Sequence, residues 1–506
     1  MRGAAALLLA FTACAGEEPA QSIPGLIAVS GKAPWNSSCT GPAGSGEIFL
    51  NSEVEPSVAV DPTDPMHLIG AWQQDRWSNG AANGIVSAVT FDGGHTWSVK
   101  VAPFTRCSGG AYQRATDPWV SIAPDGTAYQ ITYAFDWDRV NRAMLVSRSA
   151  DRGLTWESPI TLQRDRDPDF MMDKETVTAD PLDANFAYAV WDRLTGFTIP
   201  NNPLGTGPAW FARTINRGES WEAPRQIYDP GPDTQTVSNQ IVVLPDHTLV
   251  NSSMVITENS STTPHVSIAV MRSADHGASW PAPPVTVAEA EFVGVNDPKS
   301  NLGIRTGSVV HSIAVDRESG PSGTIYVAWE DGRFSSMAHD AIALSKSTDG
   351  GLTWSAPVQV NGASAPAFTP SLAVADGGRL GVSYYDLRSD IAGDTGHLMV
   401  THWLATSSDG GATFSETMVG APFNLRAAPR VEGPAWFLGD YQALAHSGSA
   451  FMPFFVAVPQ GGSANVFFRP ADSTMDAAQV VTLAARSVQR MWRSARERWR
   501  FGTLFK

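Results

Sequence analysis

Hydrophobic residues in this chain fall in short runs punctuated by turn formers. From residue 56 the runs are PSVAV (56–60), HLIGAW (67–72), GIVSAV (84–89) and TWSVKV (96–101), separated by Asp-Pro, Gly and Asn. The order returns as HSIAV (311–315), TIYVAW (324–329), DAIALS (340–345) and TWSAPVQV (353–360). Short β-branched and aromatic runs bounded by such residues predict strands. Four strands per unit make one antiparallel sheet, and sheets set radially make a β-propeller, an all-β fold.

An eight-residue turn marks the period. TFDGGHTW ends at Trp97, SADRGLTW at Trp156, TINRGESW at Trp221, SADHGASW at Trp280, STDGGLTW at Trp354 and SSDGGATF at Phe414. Its central residue is Asp92, Asp151, Asn216, Asp275, Asp349 or Asp409, so the unit is about 60 residues long. The turn joins the third strand to the outermost. Its Asp can accept backbone N–H groups, its Gly supplies a left-handed position, and its aromatic is expected to pack between neighbouring blades. A further unit without this turn is visible in YQALAHS (441–447), FMPFFVAV (451–458) and ANVFFRP (464–470), with GLIAVSG (25–31) able to supply a fourth strand. Seven four-stranded blades are favoured, with six as the alternative.

The two ends read differently. Arg2 followed by the apolar run Ala4–Phe11 predicts an export signal too short to span a bilayer. FTAC resembles a bacterial lipobox ending in a lipidated Cys14, which places the protein by lipid anchor in the bacterial envelope, periplasm or outer membrane. An ordinary cleaved signal is the other reading. Residues 1–14 are then signal, 15–47 a tethering arm, 48–473 the propeller and 474–506 a tail. In that tail Ala484, Val488, Met491, Ala495 and Trp499 recur at helical spacing among Arg486, Arg490, Arg493, Arg496 and Arg500, which predicts a short basic amphipathic helix. It suits a membrane surface, a partner, or the side of the propeller.

With 506 residues, 43% hydrophobic, 17% charged and 17 Trp, the chain is globular rather than disordered. A net charge of −15 argues against a nucleic-acid partner and leaves room for a local cationic cluster. A monomer is expected. Beyond Cys14 only Cys39 and Cys107 remain, a pair that reads as a disulfide in an exported protein. No Cys/His cluster points to zinc, so no metal or other cofactor is expected, although Asp165, Asp167 and Asp169 leave a Ca²⁺ loop open.

Candidate chemistry sits where inner strands begin and second strands end, on the face opposite the repeated turns. Second strands end in Asp75–Arg76, Asp192–Arg193, Asp331 with Arg333, and Asp386 with Arg388. Four convergent guanidinium groups suit an acidic sugar; the alternative is an Asp–Arg pair that neutralises itself in each blade. Inner strands begin near Glu55, Asp117, Lys174, Glu175, Asn239, His311, Asp440 and Tyr441. Paired carboxyl groups there suit acid–base work on a glycosidic bond, and a polar, water-filled channel is the other reading. The loops TRCSGGAYQRATDPW and QRDRDPDFMMDKE add Arg106, Arg114, Arg164 and Arg166.

The turn resembles the Asp box, or BNR repeat, of bacterial sialidases and related propellers. That resemblance implies an exo-α-sialidase or related hydrolase acting on an acidic glycan, with three arginines on the substrate carboxylate, an Asp as acid/base and a Tyr nucleophile activated by a Glu. The matching positions are Asp117 for the acid, Tyr441 or Tyr385 for the nucleophile, and Glu175 or Glu55 for its partner, with Asp440 beside them. Arg76, Arg193, Arg333 and Arg388 would hold substrate. Where the family carries Arg-Ile-Pro ahead of the first Asp box, this chain reads SIPGL with Ser22 in place of Arg. Asp boxes also occur in propellers that hydrolyse nothing. The second expectation is therefore a non-catalytic propeller binding glycan or protein at the envelope.

Overall fold

Four antiparallel strands in chain order, Ile48–Asp61, Asp64–Trp77, Ala82–Thr90 and Ser98–Lys100, form the first sheet. The computed structural model describes residues 23–471 apart from 37, 40–45, 138–139, 197–204, 258–264, 282 and 432–434. The export segment with Cys14 and the basic helix expected over 474–506 lie outside the described residues. Sheets of the same order follow over 114–165, 171–228, 234–289, 312–359 and 367–418. The first two are joined into one larger sheet through Ala82 opposite Ala115. The last comprises Ala443–Ser447, Ala450–Ala457 and Asn465–Phe468, with Ile27–Ala28 as its outer strand. Ile27 lies opposite Phe468 and Ala28 opposite Phe467, so GLIAVSG completes the sheet at the other end of the chain. Inner strands touch in succession, and Ala443–Ser447 returns to Ile48–Asp61. The fold is an all-β propeller of four-stranded antiparallel sheets.

The repeated turn has one internal geometry. In the first copy Thr90 donates its hydroxyl to Asp92 at 2.6 Å and accepts the Gly94 N–H at 3.1 Å. Asp92 in turn takes the Thr96 N–H at 2.9 Å and its hydroxyl at 2.6 Å. Ser149, Asp151, Gly153 and Thr155 repeat this network, as do Ser407, Asp409, Gly411 and Thr413. Hydrogen bonds to the ionised form overcome partial burial and hold Asp92 and Asp349 down at about 2. These carboxylates are occupied by their own turn, which leaves them no part in chemistry.

The aromatic at the end of the turn reaches the preceding sheet. Trp97 packs edge-on against Phe468 (5.3 Å between centroids), Trp221 against Tyr129 (6.2 Å) and Trp280 against Phe211 (5.5 Å). Trp156 donates its ring N–H to Ser87 at 2.9 Å. The glycine completes the join: Gly277 has φ +78°, and a Cβ there would lie 2.4 Å from Phe211 Cζ. Cys39 and Cys107 are bonded with their Cα atoms 5.6 Å apart, tying the N-terminal arm to the loop after the first sheet.

Gly277→Ala should cost about 1–3 kcal/mol through overpacking and left-handed strain together. Gly231→Ala, also left-handed at φ +98° but with open space around it, should show only the backbone part. Urea unfolding of the two variants checks this, and equal losses would mean that the close approach to Phe211 is not what requires glycine.

Candidate active site

Each of five inner strands is interrupted by a β-bulge, and a residue with positive φ sits in it. The register breaks between Val54 and Ser57, Thr116 and Trp119, Asp173 and Thr176, Val237 and Gln240, and Phe368 and Ser371. The left-handed residues are Glu55 (φ +55°), Asp117 (+50°), Lys174 (+50°), Ser238 (+62°) and Thr369 (+52°). Left-handed backbone costs a side-chain-bearing residue roughly 1–2 kcal/mol, which glycine would avoid. Three consecutive sheets instead place a charged residue there.

Those three residues meet. The Lys174 ammonium lies 2.6 Å from Asp117, 2.7 Å from Asp440 and 3.6 Å from Glu55, all four side chains buried. Glu55 also takes Gln73, which donates to Thr116 at 3.0 Å; Thr116 donates to Asp117 at 2.7 Å. Arg76 donates to Gln73 at 2.6 Å and lies over one face of Phe437 at 4.9 Å. Arg305 also lies over Phe437 at 4.9 Å and grips Asp440 with two N–H groups, one at 2.7 Å. With its side chain 44% exposed, Arg305 carries the cluster to solvent. A small extra sheet places it, pairing Ile304 with Trp436 and Arg305 with Phe437 in parallel.

The carboxyl groups are pushed apart in acidity. Burial, then repulsion from Asp117, raises Glu55 to about 8. Burial raises the half-buried Asp173 to about 6, with Lys174 opposing and Asp117 and Asp440 adding. Burial would also raise Asp440, but Arg305 and Lys174 overcome it and hold it below the carboxylate range. Burial and Asp117 push Glu175 well up; one oxygen takes the Tyr133 N–H and the other is buried without a partner. Acids split in this way can donate and accept protons at one pH. Asp192 and Glu330, raised by burial, serve the backbone instead, accepting the N–H of left-handed Ser238 (2.9 Å) and Thr369 (2.8 Å).

The structure therefore gathers Glu55, Asp117, Asp440 and Arg76 around Lys174. Glu175 and Tyr441 border the group, with Lys174 6.0 Å from the Tyr441 ring. The Tyr441 hydroxyl donates to the Pro118 carbonyl at 3.0 Å, and Tyr385 donates to Val456 at 2.8 Å, so neither phenol is held by a carboxylate. The other three arginines are held by nearby acids, Arg333 and Arg388 within their own blades and Arg193 by the blade before it. Arg193 pairs with Asp165 (2.8 Å) over Phe170, Arg333 with Asp331 (2.7 Å), and Arg388 with Asp386 and Glu416 over Trp403. A convergent set of four is corrected to Arg76 alone, because nearer carboxylates and rings capture the rest.

Self-pairing at the strand ends holds only for Arg333 and Arg388. Asp75 accepts from Trp35 and Asn51, and Asp192 from Thr236 and Ser238. Asn239 donates to Asp192, and His311, kept neutral by burial at about 3, contacts Ser252. Arg106 pairs with Asp136, and Arg114 is buried between Trp77 and Trp137. Asp165 accepts from Arg193, and Asp169 from the Thr195–Gly196 segment. Sequence reading missed Arg305 and Asp173. Arg305 has no counterpart in the repeat, and Asp173 was visible only as one acid in DKE.

No family model matches the sequence, and no curated protein matches it. Solved structures do resemble it. An α-L-arabinofuranosidase from Fusarium graminearum is 12% identical at a TM-score of 0.46, over 72% of this chain and 92% of that one. A polysaccharide lyase, an ulvan lyase bound to a GlcA–Rha3S saccharide, is 10% identical at 0.47, over 86% and 98%. The sialidase of Trypanosoma rangeli is 11% identical at 0.38, over 90% and 62%. The likeness does not reach the chemistry.

Glu55 gives the cluster a signature in stability. Its pKa rises from 4.5 to about 8 on folding, so between those values the folded chain holds a proton that the unfolded chain has released. This contribution to stability is full below 4.5 and falls as pH rises towards 8. Glu55→Gln keeps the amide-compatible contacts and removes the titration. The melting temperature of the wild type should fall relative to the variant from pH 5 to pH 8; parallel curves would place the Glu55 proton elsewhere.

Proposed function

We propose that this chain is an exported glycoside hydrolase acting on an acidic glycan, with the Lys174-centred cluster as its reactive site. The observation that carries the reading is the left-handed Glu55, Asp117 and Lys174. Backbone strain in three adjacent sheets is spent on bringing charged groups to one point, and such strain gathers at functional sites. Arg305, the exposed cation, is the anchor for a substrate carboxylate or sulfate. Asp173, half-buried and near 6, is the proton donor to the leaving oxygen, while Asp117 and Asp440 are the opposing carboxylates. Glu55 and Lys174 position these groups from behind. Because Tyr441 is bonded to a backbone carbonyl, the reading does not depend on a tyrosine nucleophile; sialidase activity in the strict sense is one member of the class.

A second reading, a propeller that only binds acidic glycan, is favoured by the neutralised Arg193, Arg333 and Arg388. Both predict retention on an acidic-glycan array that weakens in Arg305→Ala. Only the enzyme releases sugar, tested on fluorogenic α-sialosides and uronic-acid oligosaccharides. Asp173→Asn should then lower turnover by about 10²–10⁴-fold, the usual worth of a positioned acid. Wild-type binding without release from any acidic substrate would leave the binding reading and remove the hydrolase.

Export and anchoring belong to the same proposal. The Cys39–Cys107 disulfide supports an oxidising compartment, and the lipobox supports attachment through Cys14. In an envelope-expressing bacterial host, wild type should take up an alkyne fatty acid and fractionate with membranes, whereas Cys14→Ser should do neither. Label on both or on neither would reject Cys14 as the anchor.

A further inference from the structure

Three turns meet on the face that carries the Asp boxes, away from the charged cluster. Asp180 comes from the turn between the first two strands of the third sheet, His247 from the matching turn of the fourth, and His276 from the Asp box of the fourth. Their ligand atoms lie within 4.8 Å of one another. No local motif announces the group, since its members are far apart in sequence.

The neighbouring joints show what is unusual. At the residue after the Asp-box aspartate or asparagine, Arg152 reaches Asp64 of the preceding sheet at 2.6 Å, and Arg217 reaches Asp125 at 3.5 Å. Both are left-handed, as is His276 at φ +53°. At the third joint histidine therefore stands where a permanently charged arginine closes the first two. His247 makes the same kind of exchange. In the second sheet Gly126 (φ +83°) occupies the turn APDGT; the fourth reads LPDHT, with His247 at +66° and the same hydrogen bonds from Thr127 or Thr248 to the preceding aspartate. Two positions filled by arginine and glycine at the neighbouring joints both carry imidazole here, beside one buried carboxylate.

We propose that Asp180, His247 and His276 bind a divalent transition-metal ion of the Zn²⁺ class, joining the third sheet to the fourth. Two imidazoles and a carboxylate form the donor set such ions prefer, with a further position left to water. The supporting groups are present. Asp180 takes the Leu182 N–H at 2.9 Å, the Asp183 N–H at 3.2 Å and the Tyr188 hydroxyl at 2.7 Å, which fix its direction. His276 stacks on Phe186 at 4.3 Å, nearly parallel, and His247 is exposed, which gives the ion a way in. The role is structural and independent of the glycan site.

The test is calorimetric titration of the metal-stripped chain with ZnCl₂, together with thermal unfolding. The wild type should bind one ion and unfold at a higher temperature with it. His247→Ala, which removes an exposed side chain, should weaken binding by about tenfold or more and abolish the shift. His276→Ala should do the same, while His265→Ala, an exposed histidine paired with Glu289 at 2.7 Å, should behave as wild type. Absence of saturable binding, or equal binding by the His247 and His276 variants and the wild type, would overturn the proposal and leave His276 as a simple replacement for the arginine latch.

Discussion

The sheet-to-sheet joints depend on the contact between one sheet's Asp box and the apolar side chains of the sheet before it, a ring at Phe468, Tyr129 and Phe211 and an aliphatic side chain at Ile69, Val270 and Leu344. A four-stranded sheet has two faces to cover, and no sheet here is large enough to do that alone. The turn solves the problem at a fixed point: its glycine lets the backbone lie against a ring such as Phe211 or Phe468, and its tryptophan closes from the side. The aspartate and the Ser/Thr two residues before it hold the loop in the shape that makes both contacts. Repetition then propagates the angle between sheets, and Ile27–Ala28 closes the last sheet against the start of the chain.

Rigid joints on one face allow expense on the other. The inner strands carry bulges with side chains at left-handed φ, a conformation that survives only where the surroundings over-determine it. Here the surroundings are buried carboxyl groups of the neighbouring second strands, Asp192 for Ser238 and Glu330 for Thr369, each accepting the N–H that the bulge exposes. Where the bulged residue is itself charged, that support becomes a network of side chains centred on Lys174.

The fold was legible because its signal repeats. Six turns and the alternating runs between them state strand order, period and the packing role of the aromatic, and GLIAVSG was readable as a spare strand. The inner ends of the strands were legible as a set, so Glu55, Asp117, Lys174 and Asp440 were found by aligning units. The arginines misled because position in a strand does not say which acid is nearest in space. Arg193 answers to Asp165 of the preceding sheet, across a joint that one unit's sequence does not contain. Arg305 was hidden for the opposite reason: it lies in a unique connection, placed by parallel pairing with residues about 130 positions later. The metal-type cluster was hidden likewise, since each of its members looks like an ordinary turn residue within its own unit.

The charge count of the central cluster decides its protonation. Five acids, Glu55, Asp117, Asp173, Glu175 and Asp440, face three cations, Arg76, Lys174 and Arg305. If all five were ionised, two negative charges would stand unbalanced in a buried site, at a cost of several kcal/mol each. Burial favours the protonated form of Glu55, Glu175 and Asp173, while Arg305 and Lys174 keep Asp440 ionised. On the proposed reading, an anion that draws Arg305 outward removes the strongest charge opposing burial at Asp440, and Asp440 shares the Lys174 ammonium with Asp117 and Glu55. On that reading, holding the anion's anchor against a carboxylate that shares a lysine with two other acids couples ligand arrival to proton affinity at the cluster, which is what acid–base chemistry needs.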